Sequence, residues 1–143
     1  KWQRFIAAPG CDAAIFTVTG FPGTRRTPQS FSYVKCEDST EEFPLVHSIG
    51  VKSAFTSDPS SEPLLTGSFW FASSAILQRG LVALKTHDER NGGELYLDGI
   101  FDELIDMEMK VRIIPLDGYI NWGDVESFKE AHYWQKIFAG SAK

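Results

Sequence analysis

Asp117–Phe138 reads DGYINWGDVESFKEAHYWQKIF, and the assembly of the chain turns on it. The run before it, KVRIIP at 110–115, is β-branched and apolar, which predicts a strand. Pro115 gives that strand an edge or irregular end. An aromatic-glycine turn follows, and a helix starts at once. Asp124 stands at the N-cap of that helix. Phe128, Ala131, Tyr133, Trp134 and Phe138 recur at helical spacing and form its apolar face. Polar groups turned out of such a strand-to-helix junction are where open α/β sheets place ligands.

Working outward, strand and helix signals alternate. Residues 12–19, DAAIFTVT, form a short apolar run expected to be a core strand. GFPGTRRTPQS carries Pro22 and Pro28 and reads as a loop. FSYVKCED alternates apolar and polar residues, and STEEFPLVHSIGVK is a polar turn followed by a strand, so the two pieces form a predicted hairpin. SAFTSDPSSEP is a second loop. LLTGSFWFAS is a strong aromatic strand. SSAILQRGLVALK opens on a serine cap and places Ile76, Leu77, Leu81 and Leu84 on one helical face, with Gly80 weakening its middle. THDERNGGE reads as a loop. LYLDGIFDELIDMEM carries Leu97, Ile100, Phe101, Leu104 and Ile105 on an amphipathic helix, with Asp102, Glu103, Asp106 and Glu108 on its solvated face.

The pattern predicts an α/β fold: a mixed β-sheet with flanking helices, in one domain spanning 1–143. The 143 residues are enough for a real core, and the 43% apolar fraction is ordinary for a globular chain. No window approaches the about 18 apolar residues of a membrane span. KWQRFIAAPG lacks a signal-peptide core and reads as a helix fragment with Trp2 and Phe5 exposed. Net charge is −5, and the sole basic cluster is Arg25–Arg26, which argues against nucleic acid as partner. Cys11 and Cys36 have no metal-ligand spacing. They read as buried thiols in a reducing cytoplasm, with a disulfide left open. His47, His87 and His132 share no metal or triad spacing. No catalytic residue is assigned.

The order of weak motifs from Asp12 to Phe138 resembles the C-terminal, sugar-binding half of sugar-1-phosphate nucleotidyltransferases, the nucleoside-diphosphate-sugar pyrophosphorylases with a GT-A, Rossmann-like domain. In that family a Glu-Lys-Pro signature contacts the sugar phosphate. The matching place here is Gly50-Val51-Lys52-Ser53, with Val51 for the acid and Ser53 for the proline. A glycine-aromatic strand beside the sugar is matched by Thr66-Gly67-Ser68-Phe69-Trp70-Phe71. A Gly-Glu pair whose glutamate binds sugar hydroxyls is matched by Gly93-Glu94. A Trp-x-Asp-x-Gly turn supplying a magnesium-binding aspartate is matched by Tyr119-Ile120-Asn121-Trp122-Gly123, with Asn121 in the acid's place.

The resemblance implies Lys52, Gly67 and Glu94 as substrate-binding residues and Asn121 as the metal position. It also implies Mg2+ in a complete enzyme, a sugar phosphate or nucleotide sugar as ligand, and a cytoplasmic role in nucleotide-sugar and polysaccharide biosynthesis. The family's nucleotide-binding glycine-rich loop and first metal aspartate have no counterpart here. The chain is therefore expected to be inactive alone, and to be a homo-oligomer or to lack an N-terminal half. A non-catalytic sugar-binding module and a structural oligomerisation domain are the other readings. Taken one by one, the same residues have plainer roles: Lys52 an exposed strand-end lysine, Gly67 a bulge or packing glycine, Glu94 a first-turn helix acid, Asn121 a turn asparagine.

Overall fold

The computed structural model describes residues 1–7, 10–91 and 96–140. Its centre is a five-stranded mixed sheet flanked by helices. The strands are β1 (Ala13–Val18), β2 (Tyr33–Cys36), β3 (Val46–Gly50), β4 (Leu64–Phe71) and β5 (Val111–Pro115), in spatial order β3-β2-β4-β1-β5. β1 runs antiparallel to β4 and parallel to β5. It sits inside the sheet with both faces covered, which is why AAIFTV is a nearly unbroken apolar run. β2 and β3 form the antiparallel hairpin that the alternation predicts.

Two faces of the sheet bury different sets. On one, Ala13, Ile15, Val111 and Ile113 share a cluster with Ile76, Leu77 and Leu84 of α3 (Ser74–Asn91) and with Phe101 and Leu104 of α4 (Ile100–Asp106). Phe101 stacks on Phe71, with centroids 5.7 Å apart, and meets Phe69 edge-on at 4.9 Å. On the other, Ala14, Ile114 and Trp70 pack on Phe5 of α1 (Trp2–Ala7) and on Phe43. Phe5 is buried, so it belongs to the chain's own core and not to the exposed aromatic surface expected of the N-terminus; Trp2 remains partly exposed.

Helix boundaries depart from the sequence reading at several points, the first of them a short helix at Gly23–Arg26 inside a segment that reads as a loop. α3 continues through Asn91 across the segment read as a loop. No glycine or proline interrupts 81–91, so nothing stops the helix there. α4 is shorter than the amphipathic pattern over 95–109. A 3₁₀ turn, Leu97–Gly99, precedes it, and Glu108 adopts the left-handed region (φ 59°) just past its end. Leu97 consequently lies half-exposed, while Ile100, Phe101 and Leu104 are fully buried. Asp102, expected on a solvated face, is partly buried and accepts the Ile49 N–H at 2.9 Å.

Gly80 has a packing reason. A Cβ there would stand 2.6 Å from Ile100 Cγ2, so the glycine allows α3 to approach α4 closely. α5 (Val125–Gly140) departs most from expectation. Its aromatic side chains are not core: Trp134 is 48% and Phe138 68% exposed, and Trp122 just before it is 67% exposed.

The sheet is not sealed on all sides. β2 pairs with β4 only around Tyr33 and Leu64, where Leu65 N–H also reaches the Ser32 carbonyl. Beyond that point β2 diverges. From Thr66 to Phe71, β4 has a ladder partner on the β1 side alone among the described residues.

Candidate functional site

A cleft of about 1350 Å³ opens between the sheet end and α5. β4 supplies Thr66, Gly67 and Phe69. The short helix α2 (Gly23–Arg26) supplies Arg26, the turn after β3 supplies Lys52, and 119–124 with α5 form the far wall. Lys52, Gly67 and Asn121, distant in sequence, thus line one cavity. Glu94 lies outside the described residues.

Lys52 ends the β3 hairpin in the left-handed region, with φ 52°. That conformation is strained for a residue with a Cβ. Surrounding bonds hold it: its N–H donates to Ser32 Oγ at 3.2 Å, and its Nζ donates to the Ser30 carbonyl at 2.8 Å. The ammonium also lies 5.4 Å from the centroid of the Tyr96 ring, within range of a cation–π contact. Its charge is therefore fixed at the cleft wall.

Gly67 sits where the β1–β4 register slips between Ile15 and Thr17. Its φ is +80°, and a Cβ there would meet nothing within 4 Å. The bulge explains the glycine, and the open space beside it leaves bare backbone facing the cleft. A bulging glycine and close approach by a ligand are compatible here.

Asn121 organises the turn ahead of α5. Its Oδ1 accepts the Gly123 N–H at 2.9 Å, and its Nδ2 donates to Asp124 Oδ2 at 2.9 Å and Ser127 Oγ at 3.2 Å. Asp124 caps α5 as its position predicts: Oδ1 accepts the Ser127 N–H at 2.7 Å, and Oδ2 accepts Ser127 Oγ at 2.7 Å. These Ser127 bonds hold the Asp124 carboxyl below its ordinary range. As a magnesium ligand Asn121 offers one neutral oxygen, already engaged by Gly123, against a cation that prefers carboxylates. Among the described residues no three His, Cys, Asp or Glu side chains come together to hold a metal.

The cysteines are free and partly buried, and neither lines the cleft. Burial pushes the Cys36 thiol up to about 11 and raises Cys11 as well. Both are therefore poor nucleophiles at neutral pH.

Sequence reading singles out the strand-to-helix junction at 117–124, but neither Arg26 as a cleft residue nor the aromatic face of α5 as the cleft's wall. Arg26 NH2 reaches Glu130 Oε2 at 3.5 Å, linking α2 to α5. The Arg25–Arg26 pair was visible in the sequence, but only the fold turns Arg26 toward the cleft. Comparison with protein-family models and with curated proteins finds no match to this chain. Among the described residues no helix is long and apolar enough to cross a membrane.

Proposed function

We propose that this chain is the sugar-phosphate-binding half of a nucleotidyltransferase-like protein, acting in nucleotide-sugar synthesis in the cytoplasm and inactive alone. One observation carries the reading: Lys52, Gly67 and Asn121, each in a separate motif, line the same cleft. Lys52 supplies a positioned charge for a phosphate. Gly67 admits the sugar to bare backbone. The 119–124 turn shapes the far side. In the complete reaction a sugar 1-phosphate oxygen attacks the α-phosphate of a nucleoside triphosphate, and pyrophosphate leaves. Catalysis of that kind rests on positioning and charge stabilisation. Asn121 Oδ1 already accepts the Gly123 N–H, so a magnesium ion in the complete enzyme would draw its carboxylate ligands from other groups.

Titration of the chain with glucose 1-phosphate, followed by calorimetry, tests binding. A pyrophosphate-release assay with sugar 1-phosphates, triphosphates and Mg2+ tests the rest. Binding without turnover is the expected result. Absence of binding removes the reading, and robust turnover by the chain alone removes its description as a half.

The oligomerisation reading is favoured by a different observation, the open edge of β4. Thr66–Phe71 has no charge and no proline to guard against strand addition, and its guard is the bulge at Gly67. A strand from a second copy, or from polypeptide outside these residues, would complete the ladder and border the cleft beside Gly67.

A further inference from the structure

Thr17, Thr24, Ser32, Ser60 and Glu62 are the buried polar residues among those described. All but Thr17 hold the segments that carry Lys52 and Arg26. Thr24 Oγ1 donates to the Phe21 carbonyl at 2.6 Å and fixes the start of α2. Ser32 Oγ accepts the Lys52 N–H. Ser60 Oγ accepts Arg25 Nε–H at 3.2 Å and donates to Asp58 Oδ1 at 2.6 Å, while the Ser60 carbonyl accepts the Gly20 N–H at 2.9 Å.

Glu62 is the one charged member of the set, and it is only 7% exposed. A buried carboxylate is costly unless its oxygens are bonded. Here Oε2 accepts the Phe55 N–H at 2.9 Å, and Oε1 accepts the Thr56 N–H at 2.6 Å and the Thr56 hydroxyl at 2.7 Å. Bonds to an ionised acceptor are the strong ones, so they hold the loop after β3 more firmly than a neutral side chain could. That loop folds back on itself. Ser53 N–H donates to the Gly50 carbonyl at 3.3 Å, and a Cβ on Gly50 would collide with the Ser53 carbonyl. Lys52 lies inside this turn, with Ser32 bonded to its N–H and Glu62 bonded to the backbone three and four residues on. A left-handed residue with a Cβ persists only where its surroundings over-determine it.

We propose that Glu62 is a positioning residue for the phosphate site: its buried carboxylate locks the 50–56 loop and so sets the Lys52 ammonium at the cleft wall. Glu62 does not itself line the cleft and acts through Lys52. The inference rests on the phosphate-binding reading above.

A double-mutant cycle in glucose 1-phosphate affinity tests it, read by calorimetry on wild type, Glu62→Gln, Lys52→Asn and the pair. Glutamine keeps one oxygen and turns the other into a donor set against a loop N–H. Glu62→Gln should weaken binding about fivefold where Lys52 is present and less than about twofold where it is absent, since residues acting through one another are not additive. Gly80→Ala, outside the cleft lining, is the control for lost stability and should leave affinity unchanged. Should Glu62→Gln fail to fold, Thr56→Val takes its place in the cycle; it deletes the hydroxyl bond, keeps both amide bonds, and should weaken binding about threefold in the Lys52 chain alone. Equal weakening in both backgrounds makes the carboxylate merely structural and overturns the proposal, as does no weakening in either, and the phosphate reading survives both results. Absence of glucose 1-phosphate binding by wild type removes the phosphate reading and this inference with it.

Discussion

Asp102 Oδ1 accepts the Ile49 N–H at 2.9 Å, so a carboxylate on α4 caps the backbone edge of β3 that faces away from β2. The contact joins the helical layer to the hairpin, and it places an acid partly out of water. Burial is the main reason the Asp102 carboxyl lies above its ordinary value of 3.8; the Ile49 bond opposes the shift, and Asp106, Glu103 and Asp98 add to it.

A raised native value means that the folded chain holds this proton more tightly than the unfolded chain does. Stability from this group therefore rises as pH falls from above the raised value toward 3.8, and is lost as pH climbs back through that window. Asp102→Asn keeps an acceptor for Ile49 and removes the charge. It should flatten this part of the pH–stability profile and leave the protein at least as stable at pH 7. Asp102→Ala, which leaves the Ile49 N–H unpaired, should cost about 1–3 kcal/mol. Urea melts across pH 4–7 decide: equal profiles for wild type and Asp102→Asn sink the assignment.

Gly80→Ala sets helix propensity against packing. Alanine gains about 1 kcal/mol in a helix interior. The added methyl would stand 2.6 Å from Ile100 Cγ2, on a fully buried β-branched side chain with little room to move. Overpacking of this sort costs about 1–3 kcal/mol, so a net loss is expected. A higher melting temperature for Gly80→Ala would show that α3 can step back from α4.

This glycine marks where the sequence was readable and where it was not. Strand runs such as 13–18 and 111–115 declared themselves by composition, because strands buried on both faces carry few polar residues. The Asp124 cap was equally plain, since its bonds to Ser127 are local. Gly80 read as a weak point because its partner, Ile100, is set by tertiary packing. α5 misled for a related reason. Aromatic residues at helical spacing mean an apolar face, but spacing does not say what that face meets. Lys52, Gly67 and Asn121 stand out in the sequence only through the resemblance, and their common cleft depends on tertiary packing that local pattern does not encode.

Asn121→Asp introduces a carboxylate at the turn and sets it against Asp124 Oδ2, which stands 2.9 Å from the Asn121 amide. Two carboxylates there repel, so the variant should melt lower than wild type at pH 7. Millimolar Mg2+ should recover several degrees in the variant and leave wild type unmoved, because the cation answers the paired charge. A variant indifferent to Mg2+ would show that the turn cannot offer a metal site even with a carboxylate at 121.

The open stretch of β4 predicts association. Light scattering at micromolar concentration should show species larger than 16.0 kDa. Ser68 is exposed in the middle of that stretch, and Ser68→Lys introduces the charge that edge strands use against pairing. It should return the chain to a monomer without lowering its melting temperature. A strictly monomeric wild type would refute strand addition between copies.

Lys52 separates strain from function most sharply. Its φ of 52° costs a residue with a Cβ about 1–2 kcal/mol, and asparagine tolerates this region better than most residues. Lys52→Asn should therefore hold stability within about 0.5 kcal/mol, the usual range for a surface change, even though the Ser30 and Tyr96 contacts are lost. Lys52→Val, β-branched in the same conformation, should lose about 1–2 kcal/mol. Glucose 1-phosphate binding should fall at least tenfold in both, whatever their stability, because both lack the ammonium. Retained binding by a stably folded Lys52→Asn would show that the phosphate is held elsewhere in the cleft, with Arg26 the next residue to test.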